Sequence, residues 1–208
     1  MLFRSDYGMY VAYSTFSYCK NRYSKKEDWE CTHLTWVSHV SGKRESRRVV
    51  GDFILREQDL TRPIIHEDST CTTTWRIDQH YPDPRNADKY PGEEWMSIGV
   101  LTPIDFYPLP YRCFYSKDIT NMFMAGRNIS VSHIALGSTR VMRTCGLIGE
   151  VVGMAASLCR EHNTTPRDIY LHHFDEMKSL MERGAGAQGL ENNQLYNLGG
   201  KWPTYRKK

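Results

Sequence analysis

The 208-residue sequence contains no Cys-x-x-Cys pair, no long uncharged apolar run and no strong excess of charge of either sign. Each absence removes a class of protein. The six cysteines, Cys19, Cys31, Cys71, Cys113, Cys145 and Cys159, lack the spacing of a zinc site. A chain of this size does not need a disulfide scaffold, so free thiols are expected and no metal is. The net charge is only +3, and basic residues are spread out apart from Lys43 to Arg48 and Arg206 to Lys208. Nucleic acid is therefore not an expected partner. The apolar run from Cys145 to Cys159 carries Glu150 and falls short of the roughly 20 residues a bilayer requires. The first residues lack the basic, apolar and small-residue succession of a signal peptide. The expectation is a soluble chain with no membrane segment, cytoplasmic by default and periplasmic if a signal precedes Met1.

What is present is an ordinary globular composition, 40% apolar and 12% aromatic. Met1 to about Asn21 places Tyr7, Tyr10, Val11, Ser14 and Tyr18 at helical spacing. Leu34 to Val40 alternates as a strand does, Val49 to Leu55 is a second short apolar stretch, and Ser41-Gly42-Lys43 between them suits a turn. Thr70 to Trp75, Ile98 to Leu101 and Tyr111 to Tyr115 read as further strands, separated by a proline-rich stretch, Pro103, Pro108 and Pro110. An antiparallel sheet with irregular connections is expected. Thr165-Pro166-Arg167-Asp168 opens a helix predicted to reach about Arg183, and the Gly- and Asn-rich stretch from Gly184 to Gly200 reads as a tail.

The most informative stretch is Asn121 to Leu158. Met122 to Ala125 reads as a buried strand that ends in a tight turn at Gly126, followed by a loop, Arg127 to Arg143. Thr144 stands where an N-cap belongs, and a helix is predicted from there to about Cys159. Leu147, Val151, Met154 and Leu158 form one stripe of that helix, and Gly146, Gly149, Gly153 and Ala156 a nearly opposite stripe of minimal side chains. Three helical glycines cost on the order of 2 kcal/mol, so close packing on both faces is expected. A sheet backbone meets that need, as does a cofactor edge at the helix N-terminus. The pattern alone leaves both readings open.

The string from Ala125 to Leu158, AGRNISVSHIALGSTRVMRTCGLIGEVVGMAASL, resembles the C-terminal FAD-binding signature of a family of FAD-dependent oxidoreductases found in bacteria. In that family a strand ends in A-G-R and is followed by S-x-x-H-x-A-x-G-S-x-R-V-M-x-T-C and a small-residue helix. Upstream, Gly42 to Arg48 with Gly51-Asp52 is similar to the family's G-K-R-E-S-R-R-x-x-G-D, Trp75 to His80 to its W-x-I-D-x-H, and Pro110-Tyr111-Arg112 to its P-Y-R. The segments occur in the family's order.

The resemblance implies an α/β fold, α+β if the chain is a fragment: part of an FAD/NAD(P)-binding Rossmann-type fold with an antiparallel substrate domain. Residues 1–115 would belong mainly to the substrate domain, 116–162 to the FAD-binding domain, and 163–208 to a C-terminal helix and tail. Ala125, Gly126 and Arg127 would close on the flavin nucleotide. Gly137, Ser138, Arg140, Val141 and Met142 would border the isoalloxazine ring. His133, Arg112 and His80 are the candidates for catalysis, because hydride transfer to flavin needs a group that moves a substrate proton. The implied cofactor is FAD and the implied partner a small, hydroxyl-bearing organic substrate.

The chain departs from the family at Arg143, where proline is expected, and at Glu150-Val151-Val152 in place of Gln-Ala-Ala. It also has no G-x-G-x-x-G after a first strand, so the pyrophosphate-binding half of the same protein is expected to be missing. The literal match at Gly184 to Gly189 follows a polar helix and reads as a linker. Lys43, Arg44, Arg47 and Arg48 with Glu45 suit structural ion pairs or an anion site, and His172-His173 point about 100° apart and do not chelate as a pair. A non-catalytic interaction chain, or a carbohydrate-binding one suggested by its tryptophans and tyrosines, is the alternative function.

Overall fold

The structure, a computed structural model, describes residues 2–39, 47–82 and 97–184, which fall into two compact units, Met1–Ser46 and Arg47–Lys208. The expected turn at Ser41 to Lys43, the cations Lys43 and Arg44 and the tail beyond Gly184 lie outside the described residues.

In the first unit the predicted helix is present as α1, Leu2–Asn21. Asn21 closes it by donating to the Ser17 carbonyl at 2.8 Å, and Lys20 reaches the Glu30 and Thr32 carbonyls at 3.1 and 2.7 Å. The strand expected from Leu34 does not form over residues 34–39. Leu34 and Trp36 are 40% and 72% exposed, so the alternation there has no buried face to specify it.

The second unit holds α2 (Glu57–Thr61), β1 (Ser69–Thr73), β2 (Ile77–Pro82), β3 (Ser97–Thr102), β4 (Tyr107–Pro110), α3 (His133–Thr139), α4 (Met142–Glu161), α5 (Pro166–His172) and α6 (Phe174–Arg183). The strands pair antiparallel as two separate two-stranded sheets, β1 with β4 and β2 with β3. The mixture of helices with small antiparallel sheets fits the α/β class expected.

Several boundaries differ from the sequence reading. The strand expected at Tyr111 to Tyr115 lies earlier, at β4, and carries Pro108 and Pro110. A two-stranded sheet tolerates them because each of its strands is an edge, where a missing N–H costs no ladder bond. Tyr111–Cys113 is a 3-10 turn instead. Its cause is Asp68, whose carbonyl accepts from the Tyr111 N–H at 2.8 Å and whose carboxylate accepts from the Arg112 N–H at 2.9 Å. Val49 to Leu55 forms no strand, although its backbone is paired: Val49 and Leu55 donate to the Asn128 and Ser130 carbonyls, and Leu55 makes a parallel bridge with Val131. Met122 to Ala125 is reduced to an antiparallel bridge between Phe123 and Tyr115, and Gly126 turns the chain with φ +92°, a conformation glycine adopts without strain.

The helix predicted from Thr165 is capped as expected, since Thr165 and Asp168 make a reciprocal capping box with Pro166 at the first position. It breaks into α5 and α6 at His173, which has φ −128°. α4 is longer than expected. At 20 residues, with an 18-residue window of mean hydropathy 1.2, it is long and apolar enough to cross a membrane by length and composition alone. One face is nevertheless spent on this core, with Ile148, Val151, Met154, Ala155 and Leu158 buried. They join Leu55, Tyr107, Leu109, Tyr111, Phe114 and Leu136.

One buried charge pair organises this core. Asp68 is fully buried and takes a bidentate bond from Arg112, Nε and Nη2 both at 2.9 Å, while the guanidinium lies over the rings of Phe53 and Tyr170 at 5.5 and 5.0 Å. Removing one partner strands the other charge. Asp68→Asn should lower the unfolding free energy by about 3 kcal/mol in urea titrations, and an unchanged midpoint would refute the assignment. A second pair, Asp52 with Arg167, also takes the Tyr115 hydroxyl at 2.8 Å. Arg167, helped by that hydroxyl and opposed by burial, holds the Asp52 carboxyl below its usual range. A carboxyl depressed by folding adds stability above its unfolded pKa and loses it as pH falls through the folded value. Stability should therefore fall as pH drops below about 4, and Asp52→Asn should flatten that decline in thermal melts run from pH 6 to 2.

Candidate active site

β2 presents its residues alternately. Ile77 and Gln79 are buried, whereas Asp78 and His80 lie on the other face, half-buried and exposed. The buried face meets the N-terminal part of α3, where Gln79 Nε2 donates to the Ile134 carbonyl at 2.9 Å. On the other side the Asp78 carboxylate gathers two side chains: His80 Nε2 is 3.2 Å from Oδ1 and Arg140 Nη2 is 3.4 Å from Oδ2. Arg140 also donates to the Asp78 carbonyl at 3.1 Å, so the guanidinium is held by both the main chain and the side chain of one residue.

The contact requires glycine at 137. A Cβ there would lie 2.7 Å from the Asp78 carbonyl oxygen and 3.0 Å from its nitrogen, and would strike the Gln79 amide. The next residues complete the seam. Ser138 donates to the Trp75 carbonyl at 2.8 Å, Thr73 donates to the Ser138 carbonyl at 2.9 Å, and Thr144 reaches Thr73 at 3.4 Å. Thus Trp75-x-Ile77-Asp78-x-His80 and Gly137-Ser138-x-Arg140, which the sequence keeps far apart, form one built surface.

Three expectations are corrected here. The loop from Arg127 to Arg143 contains a helix, α3, capped by Ser132, whose hydroxyl accepts from the Ala135 N–H at 3.3 Å. Thr144 is not the N-cap of α4. Val141 is, with no side-chain cap bond, and Thr144 lies buried inside the first turn, its hydroxyl engaged by the Thr73 seam. The small-residue stripe of α4 is also not packed in this structure. Gly146, Gly149, Gly153 and Ala156 are exposed, and a Cβ at any of the three glycines meets nothing within 4 Å.

The other proposed residues are distributed as follows. Ala125 and Arg127 are exposed on either side of Gly126, and the charge of Arg127 opposes the burial that raises the Cys145 thiol in the first turns of α4. Met142 is 92% exposed, and Val141 is half-buried beside it. Arg143 is exposed and does not prevent the helix from starting at Met142. His133 is exposed at the first position of α3. Arg112 is bound to Asp68, away from the Asp78 cluster in bonding terms. Asp78 and Gln79 carry much of the geometry and were passed over as site residues in the sequence. The available signal was the alternation Ile77, Asp78, Gln79, His80, which puts the acid and the histidine on one face.

A family model described as "FAD dependent oxidoreductase" matches residues 9–181. The chain belongs to the FAD-dependent oxidoreductase family. No curated protein and no solved structure matches it. Membership indicates a general oxidoreductase function and FAD dependence, and the match spans both the Asp78 cluster and α4.

The residues present fit such a cofactor. The first turn of α4 has neither a side-chain cap nor an acidic residue, so its free N–H groups and positive dipole end attract negative charge. The exposed Arg127 adds to that field, and the glycine face beside it admits close backbone approach. The two glycine environments predict opposite outcomes. Gly137→Ala should destabilise the chain by about 1–3 kcal/mol through overpacking. Gly149→Ala should stabilise it by about 0.5–1 kcal/mol, because the added methyl meets open space and the helix gains propensity. Paired denaturation curves distinguish the two, and equal effects would contradict the packing described.

Proposed function

We propose that this chain forms the substrate-facing and ring-facing part of an FAD-dependent oxidoreductase that exchanges hydride with a small, hydroxyl-bearing organic substrate. The observation that carries the reading is the joining of Asp78, His80 and Arg140 across the β2–α3 seam, next in sequence to Val141 and Met142 at the start of α4.

In this reading FAD, when bound, supplies the hydride acceptor or donor. Ala125, Gly126 and Arg127 hold the nucleotide side, while Gly137, Ser138, Arg140, Val141 and Met142 border the ring. The α4 N-terminus favours negative charge there. His80, oriented by Asp78, moves the proton of the substrate hydroxyl, and His133 is the second candidate for that step. Arg112, whose guanidinium is committed to Asp68, acts as a positioning residue. We further propose that the parent fold is Rossmann-type, that this chain is its C-terminal portion, and that the missing dinucleotide-binding half packs on the open glycine face of α4. The exposed stripe supports this, since three uncovered helical glycines are costly without a close neighbour.

The test has two arms. These 208 residues alone should bind FAD weakly, read as little quenching of flavin fluorescence, because their sequence has no G-x-G-x-x-G following a strand to bind the pyrophosphate. Tight one-to-one binding would refute that. In the FAD-loaded parent enzyme, Asp78→Asn should reduce kcat/KM by about tenfold or more, the scale of losing hydrogen bonds to a charged group. Unchanged turnover would remove the Asp78 cluster from the active site.

A further inference from the structure

Away from the Asp78 cluster, the C-terminus of α4 and the junction of α5 with α6 bring together three side chains with metal-ligating atoms. His162 is the C-cap of α4, His173 is the residue shared by the end of α5 and the start of α6, and Glu176 lies in the first turn of α6. His162 Nε2 is 2.8 Å from Glu176 Oε2. The rings of His162 and His173 stack with centroids 4.0 Å apart and an interplanar angle of 16°. One ligand atom from each of the three lies within 4.8 Å of the other two.

We propose that His162, His173 and Glu176 form a binding site for a divalent transition-metal ion of the zinc type. Two imidazoles and a carboxylate are a recognised zinc donor set, with the fourth position left to water. Zinc bonds of 2.0–2.1 Å place tetrahedral ligand atoms roughly 3.4 Å apart, more than the 2.8 Å between His162 and Glu176 and inside the 4.8 Å within which the three atoms lie. Small rotations suffice: His173 leaves the ring stack, and the carboxylate backs away from His162 to admit the ion. The His162 and Glu176 side chains are 31% and 43% exposed, so an ion can enter.

The α4 end of the cluster favours a cation, while Lys178, paired with Asp175 at 3.4 Å, brings a positive charge to α6. The negative dipole end of the 20-residue α4 points here. The opposite end of α6 is offset by Asp175 and Glu176 in its first turn. A bound ion ties the end of α4, whose start lies at the proposed flavin site, to α6, whose Met177 and Met181 are buried in the core. The sequence did not disclose this because His162 and His173 belong to different elements, while the adjacent pair His172-His173 is the one that attracts notice.

The test is Co2+ and Zn2+ binding to the chelator-treated full chain, followed by cobalt absorption spectra and by competition of Zn2+ with a chromophoric chelator. One ion per chain with nitrogen and oxygen ligation is expected, together with a raised Tm. His162→Ala, His173→Ala and Glu176→Gln should each weaken binding at least about tenfold, no less than the cost of losing a supporting residue around a metal. His172→Gln should leave affinity unchanged. Far-UV circular dichroism checks that each variant is folded. Absence of stoichiometric binding, affinity in the His162 and His173 variants equal to that of the unsubstituted chain, or cobalt bands of thiolate ligation would overturn the proposal.

Discussion

The fold of the larger unit depends on the burial of one carboxylate. Asp68 has no exposed surface, and a buried charge is tolerated only when its acceptor sites are filled. Arg112 fills them from its main chain and its guanidinium together. That arrangement turns the chain after β4, and the aromatic residues of the turn, Tyr111, Phe114 and Tyr115, are thereby delivered into the core. The carbonyls of Arg112 and Tyr115 then lie so near Gly51 that no larger residue fits there without a shift. Asp52, the next residue, reaches Tyr115 and Arg167 and so ties the segment before α2 to α5. The Gly-Asp and Pro-Tyr-Arg motifs thus stabilise each other.

A second seam, made of small residues and hydroxyls, holds the candidate site. Thr73, Ser138 and Thr144 bond across separations of 65 and 71 residues, and the missing side chain of Gly137 lets α3 rest on the β2 backbone. Hydroxyl bonds of this kind are directional, so they set register as well as contact. Asp78 and Arg140 are held on regular elements as a result, the condition the proposed site needs if its groups are to stay within tenths of an ångström of a productive arrangement. The two seams divide the labour. The Asp68–Arg112 seam builds the core, and the Thr73–Ser138 seam holds the proposed site at its edge.

α4 connects these roles. Its buried face belongs to the core, its N-terminus follows the Asp78 cluster, its C-terminus carries His162, and its glycine face is open. Glycines repeated on an exposed helical face reduce the stability of the chain that carries them. Their presence is most simply understood as a requirement for close approach by a ligand or by another part of the protein.

The features that depend on neighbours a few residues away were legible in the sequence. α1, the Thr165–Asp168 cap, the turn at Gly126 and the strand around Thr70 to Thr73 follow from local bonds and φ preferences, and the ordered motifs disclosed the family. The tertiary structure decided everything that depends on long-range partners: that Val49 to Leu55 and Met122 to Ala125 bond without forming ladders, that α4 starts at Met142, that Arg112 serves Asp68 while Arg140 and His80 share Asp78, and that the glycine stripe is uncovered. The reason is the reach of the forces involved. A helix cap or a glycine turn is closed within one turn of chain, whereas a buried charge or a β-bridge takes its partner from whatever segment the core brings beside it.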